Sequence, residues 1–224
     1  MPSPRLVRFP VLGPPGWKAR ESAIRSDGTP CPTNGDGYRS AGVQHPAERP
    51  ILYDSYNELR GGGTVGHGAM DITCARGAPV VSATDGVVPL QVQVSGQTLP
   101  GAGSSPNGGN YVWVKDADGF SHYYAHMRNV RVRPGQVVKA GELLAECSDT
   151  GNARGGCPHL HYAVHTPSAG KMNPYSLLLP LYARGDWHTA PIAPERTGPG
   201  FSWIPLVLAG VAAGIFFVVV RKTT

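Results

Sequence analysis

Three short segments concentrate the side chains able to do chemistry. "GHGAMDI" (66–72) holds His67 and Asp71, "SHYYAHM" (121–127) holds His122 and His126, and "PHLHYAV" (158–164) sets His159 and His161 one residue apart. In extended chain, residues i and i+2 point to the same side, so His159 and His161 share a face if their segment is a strand. Taken alone, the pair also fits two solvent-facing histidines or two satisfied core ones. Imidazole nitrogen and carboxylate oxygen are the donors zinc accepts, and a hydrolytic zinc takes three protein ligands and leaves a place for water. His67, Asp71 and one member of the strand pair would supply that set from two distant segments. The remaining histidines would then stand near the water.

The elements that must position these groups are strands. From residue 51 to about 178, short β-branched or aromatic runs recur, among them "APVVSAT", "GVVPLQVQV", "NYVWVKD", "FSHYYAHM", "ELLAECS" and "HLHYAVH". Turn pairs such as Asp118-Gly119 and Pro134-Gly135 separate them. Gly 30 and Pro 22 in 224 residues, with only 16% charged residues, suit a loop-rich β protein better than a helical one. The fold class expected is therefore mainly β, an antiparallel sheet domain over residues 51–180.

The flanks differ. Residues 1–50 are an irregular Pro/Gly-rich segment with no basic start leading into an apolar run, so no secretory signal is recognised. Residues 181–202 read as a Pro/Gly-punctuated linker. Residues 203–220, "WIPLVLAGVAAGIFFVVV", are 18 apolar residues without charge, followed by a basic tail at 221–224. That length crosses a hydrocarbon core as a helix, so a C-terminal transmembrane helix and contact with a lipid bilayer are expected. Gly210 and Gly214 form the G-x-x-x-G spacing that lets two such helices pack as a homodimer. The net charge of +5 favours anionic surroundings, but no Lys/Arg cluster points to nucleic acid. Cys31, Cys74, Cys147 and Cys157 contain no C-x-x-C pair, which argues against a four-thiolate zinc site. Cys147 and Cys157 bracket a turn-rich loop and form the preferred disulfide pair, with free thiols the alternative.

With these residues in view, the chain resembles the LytM/lysostaphin-type zinc endopeptidases, peptidase family M23. The family's H-x-G-x-D, Y-x-H and H-x-H segments appear here as "HGAMD", "YYAHM" and "HLHYA". "GAPVVSATDGVV" (77–88), "GGNYVWVKDADG" (108–119), "VRPGQVVKAGELLAECSDTGN" (132–152) and "KMNPYSLL" (171–178) match in order. The resemblance spans about residues 60–178. It implies one zinc ion per chain on His67, Asp71 and His161. His126 and His159 become the two catalytic, non-ligating histidines, and His122 is left as a surface or packing residue.

The departures are local. Ala69 stands where the family usually has Gly, tolerable if the backbone there does not need positive φ. Ala163 replaces an acidic residue, and "TGNARGGCPH" is about two residues longer than usual. The resemblance implies hydrolysis of peptide crosslinks in bacterial peptidoglycan; the apolar C-terminal run and its basic tail add the expectation of a single-pass membrane protein whose catalytic domain faces the cell wall. Two other readings are carried: a phage lytic protein with the same activity in a virion membrane, and a catalytically inactive wall-binding or activator domain.

Overall fold

The computed structural model describes residues 4, 6–13, 52, 54–60, 63–94, 96–188 and 190–193. The apolar segment 203–220, its Gly210–Gly214 spacing, the basic tail, Cys31 and most of residues 1–50 lie outside the described residues. No helix among the described residues is long and apolar enough to cross a membrane.

The described chain is mainly antiparallel β, as the strand-length apolar runs require. Its elements are β1 (Leu59–Arg60), β2 (Val65–Gly66), β3 (Met70–Thr73), β4 (Pro79–Val81), β5 (Gly86–Val87), β6 (Gln91–Val94) and β7 (Gln97–Pro100). They continue with β8 (Ala102–Ser105), β9 (Gly109–Lys115), β10 (Ser121–Arg128), β11 (Val137–Val138), β12 (Leu143–Cys147), β13 (His159–His165) and β14 (Lys171–Met172). One helix, α1 (Tyr175–Ala183), closes the series. Ten strands form one sheet, and β1–β2 and β6–β7 are separate hairpins. The strand β10 is central, paired along its first half to β9 on one side and β13 on the other.

Alternation sorts these three strands into two faces. Val112, Val114, Tyr124, Leu160, Tyr162 and Val164 point into the main core. Tyr111, Trp113 and Ala125 make a smaller cluster on the opposite face, joined by Tyr123 and by Val92 and Val94 of the β6–β7 hairpin. His159, His161 and His165 alternate with the core residues of β13 and so share that second face.

Chain on either side of 51–180 also packs on this sheet. Phe9, Val11 and Leu12 are buried, and Val11 bridges Val80. The boundary expected at 180 falls inside α1, and packing continues to buried Trp187 and to Ile192, which pairs with Glu142.

The preferred Cys147–Cys157 pairing is corrected. Cys147 bonds to Cys74, with Cα atoms 6.4 Å apart. Backbone hydrogen bonds from Gly77 N to Cys147 O and from Cys147 N to Ala78 O draw the turn after β3 against the end of β12. Closeness in sequence is thereby overruled by strand packing. Cys157 is also disulfide-bonded, and among the described residues no cysteine is free.

Candidate metal centre

Register, more than spacing, assembles the site. The strand β3 pairs with β13 so that Asp71 lies directly opposite His161, and Thr73 opposite His159. Directly opposed residues of an antiparallel pair project side by side. His67 arrives from the loop before β3, fixed by backbone bonds from His67 N to Glu58 O and from Gly68 N to Tyr56 O. The left-handed position in that loop is Gly68, at φ 62, which glycine adopts freely; Ala69 is not left-handed and is fully buried, so its methyl group is accommodated.

His67 Nε2, Asp71 Oδ1 and His161 Nδ1 form a triangle with edges of 3.0–3.1 Å. Tetrahedral zinc with bonds of about 2.0–2.1 Å separates its ligand atoms by roughly 3.3 Å. The triangle needs to open by only a few tenths of an ångström, so the three residues fit such an ion.

Protonation states agree with that use. His67 Nδ1 lies 2.9 Å from the Ser55 carbonyl, which can only accept, so Nδ1 carries a hydrogen and Nε2 is the nitrogen turned toward Asp71 and His161. Burial pushes His161 down from its ordinary value, although Asp71 opposes the shift. Burial raises Asp71, but hydrogen bonding with His161 and His67 and the nearby imidazoles outweigh it and hold the carboxyl well below the usual range. A carboxylate and two imidazole nitrogens thus converge on one point.

Two more histidines flank this point. His159 donates from Nδ1 to Cys157 O at 2.8 Å, and His126 from Nδ1 to Thr150 O at 2.8 Å. Each bond fixes the tautomer and leaves an acceptor Nε2. His159 Nε2 is 3.8 Å from Asp71 Oδ1, and the His126 ring centre lies 4.9 Å from that of His159 and 5.5 Å from that of His161. Burial first, then the neighbouring His159 and His161, pushes His126 down to about 4.

Simple alternation would not put His126 here. His122 and Tyr124 face the core, so His126 would follow them. The β10–β9 register instead slips between Tyr124 and Met127, where three steps along β10 oppose two along β9. This bulge places His126 at φ 64, in the left-handed region, and swings its ring to the site face. Thr150, whose carbonyl holds that ring, is itself locked, donating to Met127 O and accepting from Asn110 N. Gly109 and Gly151 touch backbone to backbone beside it, leaving room for no methyl group on either.

His122 stays apart from the site. Fully buried, it bonds Tyr162 Oη at 2.8 Å and Asp116 at 3.3 Å within the core, as a packing histidine does. Ala163 is buried and brings no carboxylate to the site.

The sequence reading missed Ser55 and His165. Fully buried Ser55 holds His67 through its carbonyl and accepts from Asp71 N through Oγ at 2.9 Å. A lone serine 12 residues before a histidine carries no periodic signal. His165 could have been found, since it continues the i, i+2 series of β13. It packs edge-on against Trp113, with ring centres 5.0 Å apart.

Residues 65–174 match peptidase family M23. Over 119 residues the chain is 31% identical to a protein of Haemophilus influenzae named an uncharacterized metalloprotease, covering 53% of this chain and 22% of that one. Over 146 residues it is 27% identical to the peptidoglycan DD-endopeptidase ShyA of Vibrio cholerae, covering 63% and 31%. The chain therefore spans less than a third of either relative's length. Among solved structures, the catalytic domain of the prophage-encoded M23 protein EnpA from Enterococcus faecalis aligns with a TM-score of 0.45 and 25% identity, over 58% of this chain and 92% of that one.

Proposed function

The chain belongs to peptidase family M23 through residues 65–174, and from that membership we propose that it is a zinc endopeptidase hydrolysing peptide crosslinks of bacterial peptidoglycan. The observation that carries the reading is the His67–Asp71–His161 triangle flanked by two Nδ1-anchored imidazoles. Zinc held there supplies Lewis acidity toward water and the scissile carbonyl.

The remaining chemistry belongs to the chain. His126 and His159, each anchored through Nδ1 to a backbone carbonyl, turn Nε2 to the same space. Between them they take a proton from the nucleophilic water and deliver one to the leaving amine, as amide hydrolysis requires. The strained backbone and the Thr150 carbonyl keep His126 oriented, so little reorganisation is left for the reacting complex. Ser55 acts one step further out by fixing the tautomer of His67.

Residues 203–220 serve in this proposal as a transmembrane anchor, with the catalytic domain facing the wall. The Cys74–Cys147 disulfide supports a domain maturing outside the reducing cytoplasm. Recovery of the protein in purified phage particles would move the same activity to a virion membrane.

The test is incubation of the zinc-loaded full-length chain, in detergent, with purified wall sacculi, and mass spectrometry of the released fragments. New amine and carboxylate ends at a crosslink are expected, and His161→Ala should release none. Zinc-loaded protein that binds sacculi without releasing fragments would overturn the hydrolase reading in favour of a wall-binding domain.

A further inference from the structure

One charged side chain stands on the site face with no part in the proposed hydrolysis. The strand β14 pairs with β13 so that Lys171 lies directly opposite His165. It therefore projects on the side from which His159, His161 and His165 project. The exposed lysine does not extend away from the protein but folds back over the ligand loop. A Cβ built on Gly68 would fall 2.9 Å from Lys171 Cδ and 3.1 Å from Nζ. Since Gly68 directly follows His67, the ammonium rests beside the metal-ligand loop.

The charges there do not balance. Among the described residues Lys171 forms no ion pair; Asp54, which accepts from Asn173 Nδ2 at 3.0 and 3.1 Å, keeps its own negative charge but is not paired with the lysine. His165 is held down to about 4 by burial, then by Lys171 and His161, so it is neutral at pH 7 and adds no charge of its own. The ligand set carries one negative charge, on Asp71, against the two positive charges of zinc. Lys171 adds a positive charge beside a ligand set that zinc would leave positive, and the two together attract an anionic group on whatever peptide enters.

We propose that Lys171 is a specificity-determining residue that binds a free carboxylate of the substrate peptide beside the bond to be cleaved. The proposal rests on the hydrolase reading for the place of the peptide, and it names the substrate as a stem peptide with free rather than amidated carboxylates. Lys171 takes no part in proton transfer.

The experiment compares crosslinked peptide dimers with free and with amidated carboxylates as substrates of the zinc-loaded full-length protein. Lys171→Met keeps the length of the side chain and removes its charge. It should raise KM for the free form roughly fivefold more than for the amidated form, and Lys171→Arg should restore most of the preference. A second measurement needs no catalysis. Calorimetric titration of metal-free and zinc-loaded protein with the uncrosslinked stem peptide, free or amidated, should show preference for the free form in wild type and its loss in Lys171→Met. Equal affinity of wild type for both peptides, or equal effects of the substitution on both, would overturn the proposal. Discrimination without cleavage would sink the hydrolase reading alone, and cleavage without discrimination would sink this inference alone.

Discussion

Replacing both Cys74 and Cys147 by alanine separates what holds the fold from what makes the site. The bridge spans 73 residues of sequence. Constraining a loop of that length in the unfolded chain contributes about 15 cal/mol/K, or about 4 kcal/mol at 25 °C. The ten-residue loop of the pairing preferred from sequence would contribute only about 3 kcal/mol. For a chain of this size, a loss of about 4 kcal/mol lowers Tm by roughly 8–16 °C. The loss acts through the unfolded state, whereas the opposition of Asp71 and His161 comes from the pairing of β3 with β13. Zinc affinity of the folded variant should therefore stay close to wild type. Urea titration followed by tryptophan emission measures the first quantity, because Trp113 and Trp187 are both buried. Competition with a chromophoric chelator measures the second. A stability loss below about 1 kcal/mol, or a collapse of zinc affinity in the folded variant, would refute the division.

Asp71→Asn keeps the volume and removes the only negative ligand; zinc affinity should fall at least about a hundredfold by the same chelator competition. His122→Phe strands Asp116 and Tyr162 in the core, which should cost about 1–3 kcal/mol in urea unfolding while leaving zinc affinity unchanged. In metal-free protein, acid should destabilise the fold through His126. The folded state keeps this imidazole neutral down to about 4 while the unfolded chain protonates near 6.5, so the unfolded state binds more protons between those values. Its contribution is complete above pH 6.5 and is lost as pH falls toward 4, by at most about 3 kcal/mol. Urea midpoints at pH 7 and 4.5 should show a slope that His126→Ala reduces without abolishing, because His165 is held down over the same range.

How much of this was legible in the sequence depends on the length scale of each signal. The antiparallel β class and the shared face of His159 and His161 follow from period two, which is local. Opposition of Asp71 to His161 depends on strand register, which sequence spacing does not contain; it could be reached only through the resemblance. The Cys147 partner was misjudged for the same reason, since chain distance stood in for strand packing. Ser55 escaped because its role lies in a carbonyl and one hydroxyl, both invisible to pattern. The burial of Phe9, Val11 and Leu12 escaped because a single extended stretch without regular pairing leaves no periodicity to read.

His126 is the position where local rules fail most plainly, and the failure has a measurable sign. At an ordinary strand position, glycine is less stable than alanine by roughly 0.5–1 kcal/mol, because it loses more backbone freedom on folding. At φ 64 an L residue meets steric cost instead, about 1–2 kcal/mol, which glycine escapes. The native imidazole offsets that cost through its bond to Thr150 O, while the backbone keeps its bond from His126 N to Gly108 O. Removing the ring leaves the cost without the bond. His126→Gly should thus be more stable than His126→Ala by about 0.5–1 kcal/mol, the reverse of the strand rule, while both variants lose hydrolysis. If alanine proved the more stable, the bulge would not be imposing left-handed backbone at this site. The orientation of His126 would then need another source than the register slip between β9 and β10.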